Sequence, residues 1–192
     1  FNDNGGGATY TLADQFHVSS TVTITGGTLT TGNNNMQLGG SWVNNDIFTS
    51  GSNTVTFSTT TAAAISITTG DSSAFSALTF NDNGGGATYT LQDQLNASST
   101  LTITSGTLAA NDQKILLDGD MTIASGAFTK GTNTLTFNGS AQAYNDSTSA
   151  QDLGNVVVGG SSNTLTLSSG LTTDDLTINS GNTLGASGNN VT

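Results

Sequence analysis

The chain has 192 residues and a net charge of −11, with 13 acids, all Asp, against Lys114 and Lys130 as its only fixed cations. It has no Pro, Cys, Arg or Glu, and only 8% of its residues are charged. That balance argues against nucleic acid, which needs clustered Lys or Arg on phosphates. It also rules out disulfide stapling and leaves almost nothing to coat the wet face of a helix. Thr, Val, Ile, Phe and Tyr favour strands, while Gly, Asn, Asp and Ser favour turns. The composition therefore predicts an all-β chain. No apolar run approaches the roughly 18–20 residues of a membrane span.

The chain opens on FNDNGGGATYTL, Phe1 to Leu12, which returns unchanged at Phe80 to Leu91. Phe1–Leu29 and Phe80–Leu108 agree at 23 of 29 positions, an offset of 79 residues. Between and beyond these copies, apolar residues come in pairs around one polar residue. The series runs Tyr10/Leu12, Val22/Ile24, Val55/Phe57, Ile65/Ile67, Leu78/Phe80, Tyr89/Leu91, Leu101/Ile103, Met121/Ile123, Leu135/Phe137, Val156/Val158, Leu165/Leu167 and Leu176/Ile178. Period two over three to five residues marks short, half-buried strands. Turn clusters such as NDNGGG, TGNNN, TSGSN and VGGSSN punctuate them.

Leu153, Val156 and Val158 match Phe75, Leu78 and Phe80, so a third copy begins near residue 158 with its glycine loop shortened. The array divides into copies 1–79 and 80–157 and a partial copy 158–192. Each copy splits at Leu78, Leu101, Met121, a weak strand near Gln142–Tyr144, and Val156, giving four segments of about 20 residues. Short strands at that period predict a parallel β-helix (β-solenoid) of nine to ten coils, stacked about 4.8 Å apart. Tandem β-sandwiches are the alternative, but they call for longer strands and turn signals every 8–12 residues. The predicted core is Leu12, Val22, Ile24, Phe57, Ile67, Leu78, Phe80, Leu91, Leu101, Ile103, Ile123, Phe137, Val158, Leu167 and Ile178. Phe1 stands where Phe80 closes a strand, so the reading expects flanking coils or pairing with further copies of the chain, end to end.

The segments STLTITSGTL (Ser99–Leu108) and DDLTINSGNTL (Asp174–Leu184) resemble the β-helical repeats of bacterial surface proteins. Filamentous-haemagglutinin-like adhesins and autotransporter passenger domains are of this kind. The resemblance implies an extracellular or cell-surface, non-enzymatic stalk, adhesin or fibre. It implies no catalytic residues. The alternative reading is a binding module whose Thr/Asn face recognises surface glycans, ice or another surface, with or without Ca²⁺.

Chemistry-bearing residues are few. Asp3 and Asp82 precede three glycines that would let carbonyls turn inward, which makes them candidate Ca²⁺ ligands. The competing reading of both loops is a wide corner with side-chain turns and Gly at positive φ. Otherwise no cofactor is expected. Asp112, Asp118 and Asp120 flank KILL, and the last two share a face only if that segment stays extended. Asp174 and Asp175 would point to opposite faces. His17, the only histidine, has no evident triad partner, and Trp42 is either core or a stacking platform. Thr-x-Thr pairs suggest ice binding, but their irregular spacing predicts scatter over several faces.

Overall fold

A computed structural model describes residues 1–70 and 73–192. Among the described residues there are 23 strands of three to six residues and no helix. Every strand ladder is parallel, which excludes the antiparallel sandwich alternative. The chain is a β-solenoid of about nine coils. One sheet carries nine strands, from Phe16–Val18 through Ala77–Asn81 to Thr183–Gly185. A second side carries six, from Val22–Ile24 to Ala127–Thr129. The third side begins with three strands, Thr9–Thr11, Thr28–Thr30 and Ile47–Thr49. It continues through Phe75, bridged to Ala97, into five more, from Leu95–Ala97 to Asp175–Ile178.

The alternation seen in the sequence sets which side chains enter the core. Leu78, Phe80, Leu101, Ile103, Met121 and Ile123 are fully buried, and the threonines between them face out. Aromatic rings stack up the interior. Phe57 lies over Phe80 at 5.5 Å with an 18° interplanar angle, and Trp42 meets Phe48 edge-on at 4.8 Å. Trp42 is therefore core and offers no platform to a ligand. Two predicted core residues lie elsewhere. Leu12 is only half-buried and Ile178 is 44% exposed, because each sits in a terminal coil with a neighbouring coil on one side only. The weak strand expected near Gln142–Tyr144 is the longest of all, Ala141–Asp146.

Partners in adjacent coils are usually 19 or 20 residues apart, as from Phe16 to Met36 or Leu101 to Met121. The step lengthens to 25 between Trp42 and Ile67 and to 24 between Ile65 and Tyr89, where loops are inserted. These insertions change the arithmetic of the repeat. The strand of Tyr89 lies eleven strand positions after the strand of Tyr10, counting Phe75, rather than four whole coils. Eleven positions at three per coil is three and two-thirds coils, so identical sequence falls on different sides. Thr9–Thr11 lies in the three-stranded sheet but its copy Thr88–Leu91 lies in the six-stranded one; Phe16–Val18 lies in the nine-stranded sheet but its copy Leu95–Ala97 in the five-stranded one.

Candidate functional site: capped corners and an uncharged groove

Asp3 and Asp82 sit at corners, and their loops present N–H groups rather than carbonyls. Asp82 Oδ1 accepts from Gly84 N at 2.9 Å, and Oδ2 accepts from Gly86 N at 2.5 Å and Ala87 N at 3.0 Å. Asp3 accepts from Gly5 N at 2.9 Å and Ala8 N at 2.7 Å. These donors hold the Asp3 carboxyl below its ordinary pKa, Gly5 N–H foremost, against some desolvation. For Asp82 the nearby Ser105 hydroxyl lowers it most, burial opposes, and the Gly84, Gly86 and Ala87 N–H groups add to the lowering.

A calcium site needs six to eight oxygen ligands. Here the loop donors already occupy the carboxylate, and no group of three metal-binding side chains exists among the described residues. The donor set does not fit the cation. Each loop closes its own anion hole, with the carboxylate as the anion.

The same device recurs at a place the repeat alignment missed. Tyr144-Asn145-Asp146 repeats Phe80-Asn81-Asp82 without the glycines. Asp146 accepts from Thr148 N at 2.8 Å and Gln151 N at 2.7 Å, the same two and five positions ahead. Asp146 N donates to Ser169 Oγ as Asp82 N donates to Ser105 Oγ. Burial works against the charged form of Asp146, but the Gln151 N–H and Thr148 donors prevail and lower its pKa. Burial also raises the phenols of Tyr89 and Tyr144, each beside the capping carboxylate of its loop.

The remaining acids divide in the same way. Asp118 and Asp120 do not form an extended pair, because the segment bends at Gly119. Asp118 accepts from Asn138 Nδ2, Asp120 from Ala143 N, and Asp112 from Thr132 N. Each carboxylate is thus tied to the following coil, and the three do not converge. Asp174 joins Asp152 on Lys130, a column with steps of 22 residues, while Asp175 starts an exposed strand. The two acids raise the Lys130 pKa through hydrogen bonds, Asp152 first. Asn side chains also bridge coils. Asn34 Nδ2 donates to Leu12 O at 2.8 Å, Asn111 to Leu91 O at 2.9 Å, and Asn189 to Leu167 O at 2.8 Å.

Thr residues do split among the three sides, yet within a side they form columns. Thr11, Thr30 and Thr49 stand in register, and so do Thr56, Thr79, Thr102 and Thr122. A two-column rank, Thr9/Thr11 over Thr28/Thr30, extends for two coils before Ile47 replaces Thr.

His17 faces outward on the nine-stranded sheet, and its Nε2 is 3.4 Å from Gln15 Oε1. It lines a groove of about 650 Å³ with Gln37, Ser58 and Asn83, walled by Thr59, Thr60 and Thr61. A smaller hollow shares His17, Gln37, Ser58 and Asn83 and extends the groove past Thr56 and Asn81. Among the described residues no Asp or Lys lines either part.

The chain matches no protein-family model, no curated protein and no solved structure.

Proposed function

We propose that the chain is a structural, non-enzymatic segment of a secreted or cell-surface bacterial filament or adhesin, assembling by end-to-end stacking of β-coils. One observation carries this reading: polar side chains reinforce the corners and tie coil to coil. Capping carboxylates close the corners, Asn amides reach the preceding coil, and Lys130 clamps Asp152 and Asp174 across three coils. These bonds add to a backbone ladder that already runs along the axis. Load along the rod is then carried by many hydrogen bonds in parallel, and a coil of parallel strands is a template for another such coil. Electron microscopy of the purified chain tests the assembly. Concentration-dependent fibres one solenoid wide are expected. Monodisperse monomers at all concentrations, with added tandem copies giving no fibres, would overturn it.

A further inference from the structure

The groove on the nine-stranded sheet has a floor of outward polar side chains. Elsewhere several Asn and Asp side chains bond backbone, of their own loop as at Asp82 or of a neighbouring coil as at Asn111. Here Gln37 and Thr56 point out from the sheet between buried neighbours, Met36 and Leu38 or Val55 and Phe57, and have no side-chain partner among the described residues. His17, Gln37 and Thr56 stand in register on three successive strands, and Thr79 continues the row. The floor thus offers imidazole, amide and hydroxyl groups about 4.8 Å apart along the axis.

The wall is preformed. The step from Trp42 to Ile67 carries the inserted loop Thr59–Thr61, on which the second glycine loop rests. A Cβ on Gly85 would come within 2.7 Å of Thr60 C, so the two loops pack backbone to backbone. Asn83 Nδ2 donates to Ser58 Oγ at 2.9 Å and closes the seam.

The chemistry of the lining selects the occupant. The described lining holds no Asp or Lys, in keeping with a chain of which only 8% of residues are charged. An anionic ligand would find no fixed cation and a cationic one no carboxylate. An apolar ligand would find few apolar walls, and a peptide strand would find no open backbone edge on a sheet face. Planar amides and hydroxyls spaced along a groove suit ligand hydroxyls, with bridging waters admitted. We propose that this groove binds a short neutral oligosaccharide lying along the rod axis, with Gln37, Thr56 and His17 as its floor. The site goes beyond the fibre reading and does not depend on assembly.

The test is an NMR titration of the chain with cellohexaose, xylohexaose, maltohexaose and chitohexaose, beside a hexauronate and an uncharged hexapeptide. At least one neutral glycan should saturate and shift amides in Phe16–Val18, Met36–Leu38, Thr54–Ser58 and the Thr59–Thr61 wall. Gln37→Ala and Thr56→Val, both outward-facing, should each weaken it by about tenfold, the worth of one to two hydrogen bonds. Gln92→Ala, on another side, should leave affinity unchanged. No saturation by any neutral glycan at millimolar concentration would overturn the proposal. So would shifts mapping outside the groove, or the uronate or peptide binding there instead.

Discussion

Ala150 occupies the position that Gly7 and Gly86 hold in the other two capped corners, four residues after the capping Asp, and it adopts φ +56° against +71° and +78°. The left-handed region costs an L-residue about 1–2 kcal/mol, whereas glycine enters it freely and loses about 0.5–1 kcal/mol through its greater freedom when unfolded. Ala150→Gly should therefore stabilise the chain by about 0.5–1 kcal/mol, and Gly86→Ala should destabilise it by a similar amount. Crowding does not complicate the second change, since a Cβ on Gly86 would meet only Ala62 Cβ, at 3.9 Å. For a chain of this size the midpoint should move by roughly 1–4 °C in each direction. Calorimetry and urea unfolding of the two single variants and the double variant measure it, and the double should lie near wild type. Ala150→Gly neutral or destabilising, with Gly86→Ala also neutral, would refute the equivalence of the loops and the backbone cost assigned to them.

Asp82→Ala leaves the buried Ala87 N–H without its acceptor, and should cost about 2–4 kcal/mol in urea unfolding. In wild type the carboxyls of Asp3, Asp82, Asp146 and Asp152 all lie below the ordinary 3.8 when folded. Their stabilisation is complete above that value and is lost as pH falls through it toward the folded values, so the thermal midpoint should drop in acid. Calcium should not raise the midpoint, and chelator should not lower it, because backbone N–H donors already occupy the carboxylates of the corner loops. The three Asn-Gly pairs should resist deamidation on storage, since the glycine nitrogen that would attack the Asn amide is bonded in each, to Asp3, Asp82 or Gln142. Peptide mass spectrometry should show Asn83 deamidating faster in Asp82→Ala than in wild type.

Period-two alternation was enough to read strands such as Leu101–Ile103, whose two inward residues must be apolar whatever side they serve, and the period of about 20 residues pointed to parallel stacking; three-residue strands with one inward residue, such as Thr28–Thr30 and Ile47–Thr49, left no such mark. Coil length was legible only on average. Extra residues at a corner, as between Val55 and Leu78, leave no mark in the alternation, yet they change the sequence offset that brings a residue back to the same side. The third corner escaped because its glycines are gone; the remaining signal was an aromatic residue followed by Asn-Asp. The Lys130 column was visible only as a step of 22 residues, a spacing without meaning until coil length is known. The groove could not be read at all, since it depends on which loop overhangs which strand, and Gln37 has no sequence mark that separates it from other polar outward residues.

The eleven-position repeat behaves as a vernier against the three-position coil. The next interval keeps the phase: Ala77–Asn81 lies in the nine-stranded sheet, and its match Asn155–Val158, eleven positions on when Asp152, bridged to Thr172, is counted, lies in the five-stranded one. An extended array would return to its starting azimuth after three copies, 33 positions or eleven whole coils. A bulky corner or a soft strand written once into the unit would then wind around the rod as a helix instead of accumulating along one edge. Such a rod has no preferred plane of bending, and a substitution fixed in every copy would be displayed in three directions at once.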